Sequence, residues 1–179
     1  MFQDVEKILF DEAVLAKRIG ELGEEISKDY ANEEVMLVGI LKGASVFMSD
    51  LIRKISIPAY IDYMVVSSYG NSAETSGVVR IIKDLEDNIE GKNIIIVEDI
   101  IDTGLTLAYL KKNLLNRNPK SLKICTLLDK PSRRQKEIAI DYKGFEVPDE
   151  FIIGYGIDYA EKYRNLPFVG VLKREVYEK

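Results

Sequence analysis

Apolar positions along the chain follow two rhythms. From Asp11 onward Leu15, Ile19, Leu22 and Ile26 recur at helical spacing, which predicts an amphipathic helix with one apolar stripe. Val35 to Leu41 (VMLVGIL) is instead a short, nearly unbroken apolar run, the pattern of a strand buried on both faces of a parallel sheet. A helix through Phe47, Leu51 and Ile52 follows. Ala59 to Val66 and Val78 to Ile82 read as two strands separated by the polar stretch Ser67 to Gly77, SSYGNSAETSG, which has no core pattern. Further buried strands are predicted at Asn93 to Val97, Leu122 to Leu128, Phe151 to Ile153 and Phe168 to Leu172, with a helix from about Thr106 to Asn116 between the first two. Such alternation predicts an α/β fold, a mainly parallel sheet flanked by helices, whose ligands bind beyond the carboxyl ends of the strands.

With 179 residues, 46% of them hydrophobic, the chain is expected to form a single domain over 1–179. Its 25 basic and 30 acidic residues leave a net charge of -5, which argues against a general nucleic-acid surface; an anionic ligand must then be held by a local device. No segment approaches a membrane-spanning apolar run, and MFQDVEKILF lacks an export pattern, so a cytoplasmic protein without a membrane partner is expected. The absence of histidine excludes the usual zinc sites, Ser-His-Asp triads and Cys-His pairs. Any metal must sit on oxygen ligands, which suits magnesium. Cys125, alone and inside the apolar run LKICTLL, reads as a buried thiol.

The densest chemistry lies in VEDIIDTGLTL, Val97 to Leu107, between a strand and a helix. Thr103, Gly104 and Thr106 at a helix start can wrap a phosphate with backbone N–H groups and hydroxyls, aided by the helix dipole. Glu98, Asp99 and Asp102 would repel a bare anion, so their presence calls for hydroxyls, a cation or a proton nearby. Two adjacent carboxylates suit the 2′ and 3′ hydroxyls of a ribose, and a sugar carrying a 5′-phosphate accounts for both halves of the string. Neither a G-x-x-x-x-G-K-[ST] nor a G-x-G-x-x-G motif competes for the sheet.

This string resembles the phosphoribosyl-pyrophosphate-binding motif of the type I phosphoribosyltransferases, and four further segments narrow the resemblance to the hypoxanthine-guanine phosphoribosyltransferases. The resemblance implies that family's fold, with a small hood subdomain formed largely by the C-terminal part and a mobile lid at about 67–77 that includes Ser68 and Tyr69. It implies that Glu98 and Asp99 grip the ribose and, with Asp158, serve magnesium. Asp102 to Thr106 would hold the phosphoribosyl group, with Leu105 contributing backbone only. LKGA, Leu41 to Ala44, is similar to the family's pyrophosphate loop, with Lys42 and Gly43 meeting the leaving group at a tight peptide that can be cis, and Arg164 reaching the same group. Lys130 in LLDKPSRR would donate to the purine O6, with the neighbouring arginines read as ordinary surface charge. In FIIGYGIDYAEKYRNLPFVGVL, Phe151 would stack on the base, the Ile152 backbone would pair with its edge, and Asp158 would complete the base and metal region.

The resemblance also places Asp102 where the purine N7 proton leaves, which makes it the candidate general base. The implied reaction transfers phosphoribosyl from phosphoribosyl pyrophosphate to hypoxanthine, and to guanine, in a homodimer or homotetramer. Two other readings stay open at this point: a phosphoribosyl-pyrophosphate-sensing regulator that binds nucleic acid, and a transferase preferring xanthine or adenine.

Overall fold

A computed structural model describes residues 1–68 and 79–178. The expected lid at 67–77, Tyr69 included, lies outside the described residues except for Ser67 and Ser68. Helix α1 (Glu12–Asp29) starts where the Asp11 side chain accepts the Val14 N–H at 2.9 Å, and it buries Leu15, Ile19, Leu22 and Ile26. The predicted stripe is therefore its core face. A six-stranded sheet is built from β2 (Val35–Leu41), β3 (Ala59–Ser68), β4 (Val79–Lys83), β5 (Asn93–Ile101), β6 (Ser121–Asp129) and β7 (Tyr142–Glu146). Its order is β4-β3-β2-β5-β6-β7, parallel throughout except for β4.

Both faces of this sheet are covered, which explains the apolar runs. Leu37, Ile95 and Val97 pack toward α1 and α2 (Ser45–Ile52) in one core, while Met36, Val38, Ile94 and Ile96 pack toward α3 (Leu105–Leu115) in the other. Alternate residues of one strand thus feed opposite cores. Truncating a fully buried residue at the centre, such as Leu37→Ala, costs about 2–5 kcal/mol.

Two strands escape the sequence pattern. β1 (Val5–Phe10) and β7 carry mixed polar and apolar residues, and β1 finds its partner only at the far end of the chain. With β8 (Ile152–Ile153) and β9 (Val169–Leu172) it forms a separate antiparallel sheet, order β1-β9-β8. The runs at Phe151 and Phe168 therefore belong to a second layer, not to the parallel sheet. It draws on the N-terminus as well as the C-terminal part, and its small core holds Ile153, Tyr163, Leu166, Phe168 and Leu172. A short helix, α4 (Arg174–Tyr177), closes the chain.

Candidate active site

The parallel register of β2 with β5 brings the two loops beyond their carboxyl ends side by side. β2 ends in a cis peptide at Leu41-Lys42 followed by Gly43. β5 runs through Ile101, past the apolar run that predicts it, so Glu98 and Asp99 lie within its last turn of pleat and not in a loop. Leu41, Gly43, Glu98, Asp99, Asp102 and Thr103 line a cavity of about 280 Å³. Asp99 fills the space a side chain at residue 43 would need, because a Cβ there would stand 1.8 Å from its Oδ2.

The electrostatics of this cavity are uncompensated. Burial raises the Glu98 carboxyl well above the usual carboxylate range, and the charge of Asp99 pushes it further. Burial likewise lifts Asp99 to about 6, although the Ile100 N–H donates to its Oδ1 at 2.8 Å and the Arg164 guanidinium favours its charged form. Asp102 Oδ1 is buried and has no hydrogen-bond partner among the described residues. Glu98 and Asp99 are thus held where charge is costly, and a ligand bearing hydroxyls or a cation would relieve that cost. Beside them Gly104, whose φ of 80° suits glycine, stands as the N-cap of α3 with no side chain to offer, and the Leu105 N–H makes a long bond to Thr103 Oγ1 at 3.4 Å. The N–H groups of such a helix start can turn to an anion.

The pieces expected to meet the base and leaving group come from both layers. Lys130, directly after β6, is buried; its Nζ donates to the Glu150 carbonyl at 2.8 Å and its N–H to the Ile101 carbonyl at 2.9 Å. Glu150 precedes Phe151, so the ammonium stands beside the start of the expected base-binding segment. The Phe151 ring already packs edge-on to Tyr159 at 5.3 Å and tilted against Tyr177 at 4.8 Å. Ile152 lies in β8, opposite Val171. The turn after β8 rests on the Leu41–Gly43 turn: a Cβ on Gly156 would be 2.2 Å from the Gly43 carbonyl oxygen. Arg164 Nη1 donates to the Gly156 carbonyl and Nη2 pairs with Asp158 Oδ1, both at 2.8 Å, while its buried Nε has no partner among the described residues. Lys42 reaches Glu161 at 3.1 Å on the surface.

Not every expected grouping is assembled. Among the described residues no three carboxylates form a metal cluster. Asp158 is engaged with Arg164 and with the Glu161 N–H, and its charge also bears on Asp99, whose proton affinity it raises. Conversely, Arg134, read from sequence as surface charge, is folded inward against the Ile101 and Asp102 carbonyls and the Asp129 carboxylate. Nothing in the string Arg133-Arg134 separates it from its exposed neighbour. A larger cavity of about 1050 Å³ lies at the other end of the strands, far from these groups, lined among others by Glu33, Asn93 and Lys120.

Residues 7–160 match the family model described as phosphoribosyl transferase domain. A hypoxanthine-guanine phosphoribosyltransferase from Bacillus subtilis (strain 168) is 54% identical over 178 residues, covering 99% of both chains. The crystal structure of a hypoxanthine phosphoribosyltransferase from Staphylococcus aureus superposes with a TM-score of 0.97 at 48% identity, covering 100% of this chain and 97% of the other. A hypoxanthine phosphoribosyl transferase of Trypanosoma cruzi, solved in connection with the role of its C-terminal region in oligomeric state and enzymatic activity, aligns with a TM-score of 0.94 at 40% identity over 99% of this chain and 96% of its own.

Proposed function

The chain belongs to the hypoxanthine-guanine phosphoribosyltransferases, and from that premise we propose that it makes IMP and GMP from phosphoribosyl pyrophosphate and the corresponding 6-oxopurine. The bond from ribose C1′ to the pyrophosphate oxygen breaks and a bond from C1′ to the purine nitrogen forms, with loss of the purine N7 proton. The observation that carries this reading is the pair of buried carboxylates at the end of β5, neither in a salt bridge among the described residues, set directly before the start of α3. Two such carboxylates accept the ribose 2′ and 3′ hydroxyls, while the N–H groups of residues 103 to 106 and the Thr103 and Thr106 hydroxyls take the 5′-phosphate. Leu105 takes part through its backbone.

Asp102 acts as general base. Its buried, unpartnered Oδ1 supports that assignment, since an oxygen with no donor of its own can take a proton from the purine. Lys130 reads the base: an ammonium is only a donor, so it accepts a 6-oxo group and leaves the amino group of adenine unpaired, a mismatch of about 1–3 kcal/mol. Its contact with the Glu150 carbonyl holds it at the edge of the Phe151 and Ile152 segment, where the ring stacks on the purine and the backbone meets its edge. Arg164, Lys42 and the Gly43 amide hold the departing pyrophosphate, and the unsatisfied Arg164 Nε is an available donor.

Magnesium fits the donor set: Glu98 and Asp99 would offer it oxygen ligands at a site where burial leaves their charge uncompensated, with Asp158 as a further carboxylate. Such an ion supplies charge neutralisation on the leaving oxygens. A cytoplasmic homo-oligomer is part of the proposal, supported by the interest in oligomeric state attached to the Trypanosoma cruzi relative. The test is nucleotide formation from phosphoribosyl pyrophosphate and magnesium with hypoxanthine, guanine, xanthine and adenine in turn. Rapid turnover of the first two and poor use of adenine is the expected result; adenine used as well as hypoxanthine would remove Lys130 from base selection, and no turnover would sink the reading.

A further inference from the structure

The two arginines after Lys130 have opposite fates. Arg133 is exposed and pairs with Asp149 at 2.7 Å. The Arg134 side chain is 9% exposed: its Nε donates to the Asp102 carbonyl at 3.0 Å, and its Nη2 faces the Ile101 carbonyl at 3.5 Å and pairs with the Asp129 carboxylate. Asp129 is 5% exposed, ends β6 and immediately precedes Lys130. The next two residues continue the embrace, for the Gln135 and Lys136 N–H groups donate to the Thr103 carbonyl at 2.9 and 3.0 Å. A Cβ on Gly104 would meet the Lys136 carbonyl oxygen at 2.6 Å and Arg134 Cδ at 3.1 Å, so the two segments are in close contact. Residues 134 to 136 therefore bond the carbonyls of Ile101, Asp102 and Thr103 in succession.

We propose that Arg134 is a positioning residue that fixes the distance between the general base and the purine-reading ammonium, by bridging the Asp102 peptide to the Asp129 carboxylate beside Lys130. This rests on the functional reading above, which assigns those two roles. The geometry favours positioning over simple charge balance. A guanidinium needed only to neutralise Asp129 would spend its N–H groups on that carboxylate, yet Nε and part of Nη2 go to the peptide carbonyls of the turn that carries the base. A planar fork can hold a carbonyl and a carboxylate at a set angle, whereas an ammonium is a single point of charge. Misplacement of reacting groups by about 1 Å costs on the order of 100-fold in rate.

Two variants separate the alternatives. Arg134→Lys keeps a cation near Asp129 but cannot bridge both groups. The double variant Arg134→Met with Asp129→Asn removes both charges of the buried pair, so neither is left without the other. For both, the expected result is a cooperative melt close to that of the parent and a phosphoribosyl pyrophosphate Kd within about threefold, with kcat lowered about 10- to 100-fold and KM for hypoxanthine raised. A double variant that recovers parental kcat would show that Arg134 only balances Asp129, and would overturn the inference. So would loss of phosphoribosyl pyrophosphate binding in step with kcat, or failure of both variants to fold. A parent protein without nucleotide-forming activity sinks the functional reading and this inference together, whereas an active parent with unaffected variants sinks this inference alone.

Discussion

The two ends of the parallel sheet use the same residue types to opposite effect. At the amino ends of the strands, Asp29 accepts from Lys123 Nζ and the Tyr142 hydroxyl, each at 2.8 Å, and Glu33 accepts from Lys120 Nζ and Asn93 Nδ2, each at 2.6 Å. Those donors hold both carboxyls below the ordinary carboxylate range, with the lysine contact the largest cause in each case. At the carboxyl ends, Glu98 and Asp99 have burial without an adjacent cation, and their proton affinities rise. One end is satisfied by its own side chains and the other waits for something else to satisfy it. The larger cavity sits at the satisfied end, so unmet polar demand, not volume, marks the site.

That contrast can be broken from either side. The largest effect is expected from Asp102→Asn, which keeps the shape of the buried base but cannot take a proton: kcat should fall roughly 10²- to 10⁴-fold while phosphoribosyl pyrophosphate affinity, read by calorimetric titration, stays near the parental value. Unchanged turnover would remove Asp102 from proton transfer. Next, Lys130→Ala should lower kcat/KM for hypoxanthine about 10- to 100-fold through loss of a charged hydrogen bond, with much less effect on phosphoribosyl pyrophosphate binding; equal losses on both substrates would contradict base reading.

A smaller effect, on stability, comes from Asp99→Asn. Because burial raises this carboxyl from 3.8 to about 6, the folded state holds a proton that the unfolded chain has released between those values. Stability is therefore lost as pH climbs from 3.8 to about 6, and the cost is fully present at neutral pH. The variant should melt a few degrees higher than the parent at pH 7.5, with the gain shrinking on acidification and gone near pH 4, while magnesium-dependent stabilisation by phosphoribosyl pyrophosphate is weakened. A lower melting temperature at pH 7.5 would mean the carboxylate is stabilised by contacts in the fold. The smallest effect is expected at the other end: Glu33→Gln disrupts an exposed pair and should leave turnover unchanged and the melting temperature within a degree or two.

How far the sequence could be read depended on how local each signal is. β2 and β5 are legible because burial on both faces leaves an apolar run, and α1 because its stripe recurs under an Asp11 cap. The residues proposed for ribose and phosphate are legible because Glu98 to Thr106 follow one another along a strand end and a helix start. β1 is not, since VEKILF is stabilised by β9 more than 150 residues away and has no strong pattern of its own. Arg134 is invisible for the same reason: its partners are carbonyls of a loop some 30 residues earlier, and its neighbour Arg133 has the same letter and points to solvent.

By itself the sequence determined the α/β class, the order of the main elements and the residue string of the contiguous strand-to-helix motif, because helical period, two-faced burial and adjacency along the chain are short-range properties. Tertiary structure decided which end of the sheet bears uncompensated charge, that the Phe151 and Phe168 runs form a second sheet with β1, and that Asp158 faces Arg164 and Arg134 faces Asp102. Whether a carboxylate is paired or isolated, and whether an arginine is buried or solvated, depends on groups brought together from distant parts of the chain. Such distances exist only once the sheet has set its register.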